Sequence, residues 1–466
     1  MKIAFHGAAR TVTGSKHLVH LDSGKKVLLD CGMFQGLGKD TLELNSNWGF
    51  NPSEVTYVVI SHAHIDHIGL LPKFVKDGFN GKIFCTPATA DLAKILLLDS
   101  AHIQESDVNH INKMREIQHR PPVEPLYDAD NVQMVLPLLH TVDYGEIYKI
   151  DEDITLQYTD CGHIIGSAAM HLSINDGGKN TRITFSGDVG RYNDLILRSP
   201  DIFPQADYIL IESTYGDTLH NKVASAGDTM LQYIEDTIAR GGKLIIPAFS
   251  VGRTQELLFI LNRLDLEKRL PKIKYFVDSP LSVQATNVVK SHPECFNETV
   301  KALLLKDEDV FGFNGLDYIV TSEDSIKLND IKEPCVIISA SGMAESGRVK
   351  HHIANNISNA ANTILIVGYC EPQSLGGKLK NGAKQVNIYG EQYNVNAQIG
   401  VIESMSAHGD YEDLIHWLGC QDAGAVRKLF LVHGEYPVQV NFRERLLGKG
   451  FKNIEIPALH QEIMLD

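Results

Sequence analysis

The chain has 466 residues, 43% of them hydrophobic, with a formal net charge of −15. That length allows roughly two to four domain-sized units and a sizeable core. The acidic balance excludes a broad basic coat for nucleic acid and leaves room only for a local basic cleft. Seven cysteines, without a Cys-x-x-Cys pair, argue against a disulfide framework and a thiolate zinc site. Reduced thiols in a cytoplasmic protein are the reading, with Cys31 and Cys161 as small buried side chains.

Residues 1–7 read as a first strand and lack the long apolar stretch of a secretory leader. No apolar run reaches the ~20 residues of a membrane span. Short β-rich apolar runs follow at 26–29, 57–60, 183–185, 208–211 and 429–432, and helical patterns at 88–98, 229–240 and 253–263. The polar stretch 103–139, with His119-Arg120-Pro121-Pro122 in its middle, predicts a helical excursion followed by a loop. A second α/β series from about Ser213 to Gln398 has its own strands at 243–246, 275–277 and 336–338. Candidate metal residues lie on both sides of this series and not within it. The alternation predicts α/β layers interrupted by an inserted domain: 1–212, then the insert 213–398, then a completing segment 399–466.

His62-Ala63-His64-Ile65-Asp66-His67 follows directly on a strand-like run, and open α/β folds place their sites at the carboxyl ends of strands. Imidazole nitrogen and carboxylate oxygen are zinc-type donors. The context recurs downstream: His163 follows Leu156-Gln157-Tyr158, Asp188 follows Ile183-Thr184-Phe185, and His433 follows Leu429-Phe430-Leu431-Val432. A lone histidine of this kind is most often structural, but four strand ends presenting donors predict a site. His62, His64 and His163 are assigned to one ion, Asp66, His67 and His433 to a second, and Asp188 to a bridge. Asp30, at the end of the run 26–29, is placed to orient a ligand histidine. His6, His17, His20, His102, His110 and His171 read as structural or surface residues, and His351-His352 has no usable ligand spacing.

These residues resemble the metallo-β-lactamase superfamily. Ile211-Glu212-Ser213-Thr214, Ser404-Met405-Ser406-Ala407-His408-Gly409-Asp410 and Leu431-Val432-His433-Gly434-Glu435 resemble the three motifs of its β-CASP branch, which includes the RNA 3′-end processing endonucleases and their bacterial and archaeal relatives. The resemblance covers essentially the whole chain. It implies a four-layer αββα fold with an inserted α/β β-CASP domain, two Zn2+ per chain with Mn2+ as a substitute, and a possible homodimer. A histidine at position 433, rather than an apolar residue, implies RNA rather than DNA as substrate, single-stranded RNA first of all.

The implied reaction is phosphodiester hydrolysis giving 5′-phosphate and 3′-hydroxyl ends. His408 is the proton donor to the leaving oxygen, Glu212 orients it, and Asp66 counts as both ligand and catalytic group. Two Gly/Ser-rich turns in the insert, around Ser341-Gly342 with Arg348 and before Arg253, are candidate phosphate cradles. Arg253 and Arg348, with Lys378 and Lys380 less firmly, are expected to line an RNA channel between the domains. Two other readings stay open: a thioester or lactone hydrolase of the same superfamily, and a non-catalytic RNA-binding scaffold.

Overall fold

The structure, a computed structural model, describes residues 1–220, 226–368, 370–402 and 405–466. Ser404, quoted above in the second motif, lies outside the described residues. The chain divides into two compact units. One comprises Met1–Tyr192, Arg198–Leu219 and His408–Asp466, the other Asn193–Leu197 and His220–Ala407.

The first unit is built on two seven-stranded sheets. One runs in the order Glu462–Met464, Lys2–Phe5, His17–His20, Lys26–Leu29, Tyr57–Val59, Lys82–Cys85 and Leu139–Thr141. The other runs Ile454–Glu455, Lys428–Leu431, Tyr208–Ile211, Lys179–Phe185, Ala168–Asp176, Ile154–Asp160 and Ile147–Lys149. Period-two alternation gives each strand two faces. Phe5, Val19, Leu29, Val59 and Phe84 from the first sheet meet Leu156, Met170, Phe185, Leu210 and Phe430 from the second in one core. The opposite face of the second sheet, with Ile209, Ile211, Leu429 and Leu431, packs on Leu414, Trp417, Phe442 and Leu446 of the helices Tyr411–Leu418 and Tyr436–Leu447. Leu28, Val58 and Ile83 are buried on the other face of the first sheet, and the helices Leu71–Lys76 and Pro87–Ile117 bury Leu71, Phe74, Leu92 and Leu97. This is the expected four-layer αββα arrangement.

The helix Pro87–Ile117 is far longer than the 88–98 read from the sequence. Thr86 caps it, accepting from the Thr89 N–H, and Pro87 occupies its first position. Its buried stripe ends at Ala101, so the later turns carry no core-facing pattern. The stretch expected to end as a loop instead carries a second helix, Ala129–Val135, and the strand Leu139–Thr141.

The second unit holds a six-stranded parallel sheet in the order Leu316–Ile319, Lys274–Asp278, Cys335–Ser339, Leu244–Pro247, Thr363–Val367 and Gln398–Ile402. Its central strands are buried on both faces, as parallel strands covered by helices must be. Ile245, Ile337 and Ile366 pack with Val349 and Ile353 of the helix Arg348–Asn356 and with Leu375 and Leu379. The strand Gln398–Ile402 pairs with Thr363–Val367, so residues 399–402, assigned above to the completing segment, belong to this sheet.

One contact ties the two sheets of the first unit together at the end that matters for chemistry. The Tyr158 hydroxyl, fully buried on the second sheet, lies 3.1 Å from the Ile60 carbonyl and 2.9 Å from the Phe84 carbonyl of the first. Tyr158→Phe removes this hydroxyl and is expected to cost about 1 kcal/mol. A lower urea midpoint with an unchanged slope checks it.

Candidate metal centre

Each donor sits just past the carboxyl end of a strand in the first unit. Asp30 follows Lys26–Leu29, and His62, His64, Asp66 and His67 follow Tyr57–Val59. His163 follows Ile154–Asp160, Asp188 follows Lys179–Phe185, Glu212 follows Tyr208–Ile211, and His433 follows Lys428–Leu431. Parallel pairing of Tyr208–Ile211 with both of its neighbours brings three of these ends level.

The donors converge in groups. Ligand atoms of His62, His64, His163 and Asp188 lie within 4.8 Å of one another, as do those of Asp66, His67 and His433. In the first group His64 Nδ1 is 3.1 Å from His62 Nε2 and 3.2 Å from His163 Nε2, and Asp188 Oδ2 is 3.6 Å from the Nε2 of both His62 and His163. In the second, His433 Nε2 is 3.3 Å from both His67 Nε2 and Asp66 Oδ2. Asp188 faces both groups, with Oδ2 3.4 Å from His67 Nε2.

The outer nitrogens of these rings are held from behind. His67 Nδ1 is 2.6 Å from Asp30 Oδ2, and Asp30 also accepts from the Ser61 N–H and hydroxyl, each at 2.8 Å. The Ser61 hydroxyl is also 3.0 Å from His62 Nδ1, and Thr214 Oγ1 is 3.1 Å from His433 Nδ1. Such partners fix the tautomer and turn the opposite nitrogen inward.

Burial drives His62 well below the usual imidazole range and His64 down to about 4, so both offer lone pairs rather than protons. Burial alone would neutralise Asp188, but its electrostatic interactions with His433 and His67 outweigh it and hold the carboxyl well below its usual range. Burial pulls His67 down, yet Asp188 and Asp30 outweigh it and raise it well above its usual value. Asp188 Oδ1, buried, has no hydrogen-bond partner. The neutral His62 and His64 rings, the carboxylates of Asp66 and Asp188 held below their usual range, and a buried Asp188 Oδ1 without a hydrogen bond form a donor set that fits divalent metal of the zinc type.

Beside this cluster, His408 Nδ1 is 3.2 Å from both Glu212 carboxylate oxygens and 3.9 Å from Asp188 Oδ2. Burial opposes its charge, but Glu212 and Asp188 outweigh burial and hold His408 up at about 9. Glu212 is itself fixed by the Val189 N–H at 2.6 Å. The arrangement holds a protonated imidazole next to the donor groups.

The structure places the remaining candidates in the second unit. Arg348 donates through Nη1 to Asp278 at 2.7 Å and through Nη2 to the Val320 carbonyl at 2.7 Å. Arg253 is buried and paired with Glu256. Ser341 and Gly342 lie in the turn after Cys335–Ser339, and the Ser341 N–H donates to Ser346 at 3.3 Å. Lys378 and Lys380 lie on the helix Leu375–Lys380.

Sequence reasoning missed several residues around the donors. Ser61 and Thr214 were signalled only by adjacency to motif residues. Asp160, pushed up to about 7 by burial, accepts from the Gly162 N–H at 2.9 Å and braces the turn that delivers His163. Gly162 there is left-handed, with φ 65°, and a Cβ on it would stand 2.5 Å from the Arg198 carbonyl.

Fold and donor set together define a metal-dependent hydrolase. The metallo-beta-lactamase superfamily pattern matches residues 15–143, the Beta-Casp domain 254–379, and the Zn-dependent metallo-hydrolase RNA specificity domain 392–457. Ribonuclease TTHA0252 of Thermus thermophilus is 33% identical over 450 residues, covering 97% of this chain and 95% of that protein. An RNase J-like protein of Methanocaldococcus jannaschii is 30% identical over 462 residues, covering 98% and 97%. The transcription termination factor FttA of Methanosarcina mazei is 29% identical over 435 residues, and the match spans 65% of that longer protein. The chain belongs to the β-CASP branch of the metallo-β-lactamase superfamily, and membership implies divalent metal at the His/Asp cluster.

Asp30→Asn keeps the shape of the side chain and removes its charge behind His67. It is expected to weaken metal binding by about 10-fold or more, read by competition with a chromogenic chelator against an unchanged circular dichroism spectrum.

Proposed function

We propose that the chain is a two-zinc ribonuclease that cuts single-stranded RNA internally, leaving 5′-phosphate and 3′-hydroxyl ends. The observation that carries this reading is the Glu212–His408 pair, a charged imidazole held on a buried carboxylate within 3.9 Å of Asp188. A centre that only bound metal, or only polarised a thioester, has no need of a poised acid beside it. Two donor groups, one containing Asp188 and the other facing it through His67 at 3.4 Å, support two ions, with manganese as an acceptable substitute. When bound, such a pair acidifies water and neutralises charge developing on the phosphoryl oxygens.

The protein's own groups do the rest. Asp66 orients the attacking water. The water gives up one proton to solvent as its oxygen joins phosphorus, the P–O3′ bond breaks, and His408 hands the leaving 3′ oxygen a proton from Nε2, which solvent later restores. Glu212 keeps that ring aligned through Nδ1 and stabilises its charged form. Asp30 fixes His67. Substrate phosphates are bound by the Ser341-Gly342 turn with Arg348, and by Lys380; Arg253, expected to join them, is instead buried and paired with Glu256. Relatives named as a ribonuclease and as RNase J-like, together with the match to an RNA specificity domain, support RNA as the substrate.

Seven cysteines outside any disulfide support a reducing, cytoplasmic setting, and no helix among the described residues is long and apolar enough to cross a membrane. A homodimer, implied by the resemblance alone, is tested by light scattering.

His408→Ala is expected to lower kcat on labelled single-stranded RNA by about 10²–10⁴-fold while both ions stay bound. Asp188→Ala is expected to abolish cleavage and lower the metal content. Failure of the wild type to cut RNA with added zinc or manganese, with turnover of thioesters or lactones instead, overturns the reading. Arg348→Ala is expected to raise KM for RNA several-fold at unchanged metal content, as measured by initial rates and elemental analysis.

A further inference from the structure

Strand pairing puts one more loop at the edge where the donors gather. Lys2–Phe5 runs antiparallel to His17–His20, which runs antiparallel to Lys26–Leu29, itself parallel to Tyr57–Val59. The loop after Lys2–Phe5 therefore leaves its sheet at the same end as Asp30 and His62. Ala8 N–H donates to the Thr13 carbonyl at 3.1 Å and closes the loop into a tight tip that carries Arg10. The Thr13 hydroxyl pins the base, donating to the Met33 carbonyl at 3.2 Å and accepting from the Gln35 N–H at 3.0 Å. The tip lies on the third motif: His433 N–H donates to the Ala8 carbonyl at 2.7 Å, and Gly434 N–H to the Thr11 carbonyl at 3.1 Å. Ala8 and Arg10 are left-handed, φ 46° and 61°, a backbone that non-glycine residues rarely adopt outside constrained sites.

The loop presents a cation. Arg10 is exposed, with Cζ 4.7 Å from the ring centroid of Tyr436, and its Nη2 donates to the Ile456 carbonyl at 3.1 Å. Both partners belong to the donor edge. Tyr436, itself exposed, opens the helix Tyr436–Leu447 just after His433-Gly434-Glu435. Ile456 follows Ile454–Glu455, which runs parallel to Lys428–Leu431. Among the described residues no carboxylate pairs with Arg10. A guanidinium has five N–H donors, and this one spends a single N–H on the protein. Ring and carbonyl fix its plane, so little side-chain entropy is left to lose to a further partner. In a chain of net charge −15, an unneutralised cation at this edge is a local device and not part of a basic coat. A structural tie accounts for the bond to Ile456, but not for an exposed guanidinium without a carboxylate beside the metal ligands.

We propose that Arg10, held by Tyr436, binds a phosphate of single-stranded RNA next to the one that is cut; this rests on the ribonuclease reading above. The remaining N–H groups of Arg10 donate to the phosphate oxygens, and the Tyr436 ring keeps the guanidinium in place. A contact to the backbone carries no base information, so Arg10 sets position along the strand and not sequence preference.

Initial rates on labelled single-stranded RNA, measured with the zinc-loaded full chain over a series of salt concentrations, test this. Arg10→Asn removes the charge with a side chain that tolerates left-handed backbone. It is expected to lower kcat/KM by about 10-fold. The fall of log kcat/KM with log salt is expected to become shallower by about 0.7, at wild-type metal content by elemental analysis. Arg10→Lys, which keeps the charge, is expected to keep the salt slope. Near-ultraviolet circular dichroism reports folding, and Arg10→Gly carries the same test where Arg10→Asn does not fold. Wild-type kcat/KM in the neutral variant overturns the proposal. A lower value at an unchanged salt slope also overturns it and marks a structural tie, and lost metal overturns it by making the loop a brace for His433. Each of these results leaves the ribonuclease reading standing, because the wild type still cuts; a wild type that does not cut RNA sinks that reading and this proposal with it.

Discussion

Asp30 is a fully buried carboxylate, and the metal centre depends on how its charge is met. An ionised carboxyl taken out of water is costly unless hydrogen bonds and an opposite charge replace the solvent. Here the Ser61 N–H and hydroxyl, the Ser15 hydroxyl at 3.3 Å and the His67 ring at 2.6 Å supply them. All of these partners belong to the segments that must be rigid for the donors to converge. Asp30 takes the left-handed backbone, φ 58°, and the chain then runs beside the donor segment, with the Cys31 N–H on the His67 carbonyl at 2.8 Å. Gly32 follows where a Cβ would collide with the Asp66 carbonyl oxygen at 1.6 Å. One buried charge thus dictates a backbone conformation, a glycine and two serines, and their joint product is the orientation of His67.

The donors were legible in the sequence because each ends an apolar run, and strand ends in such a fold share one edge. The residues that aim them were not. Ser61, Ser15 and Thr214 are common types whose role exists only once distant segments meet; Thr214 and His433 are separated by 219 positions. Asp160 had no signal beyond its place before Cys161-Gly162. The same logic governs the elements. Continuous buried strands such as Leu244–Pro247 and Cys335–Ser339 declare themselves, whereas the edge strands Leu316–Ile319 and Gln398–Ile402 are only partly buried and mix polar with apolar residues. The far half of Pro87–Ile117 is helical without a buried stripe, so periodicity had nothing to report there.

The arginines of the second unit carry a related lesson. A Gly/Ser turn followed by arginine suggests an anion site, yet the side chain can serve the turn before it serves a ligand. Arg348 reaches Asp278, which also receives His352 at 2.6 Å and the Ser325 hydroxyl at 2.5 Å. Burial opposes ionisation of Asp278, but His352, Ser325 and Arg348 outweigh it and keep its carboxyl below the usual range. A guanidinium has five N–H donors in a fixed fork, so engagement with Asp278 and two carbonyls orients the group without exhausting it. The guanidinium is thereby already ordered, with less side-chain entropy left to lose to any further partner.

The catalytic cluster shows the reverse imbalance. Outward-facing atoms are answered: His67 by Asp30, His62 by Ser61, His433 by Thr214, His408 by Glu212. Inward-facing atoms meet mainly each other, with lone-pair nitrogens and carboxylate oxygens at 3.1–3.6 Å and Asp188 Oδ1 lacking a hydrogen-bond partner. Protons relieve only part of this, since His62 and His64 resist charging. A fold that holds His62 and His67 from behind and leaves their inward nitrogens facing other donors has its stability coupled to the cation it binds, because metal binding free energy then enters the folding balance directly. The strand ends and the buried charges behind them are arranged for an occupied centre.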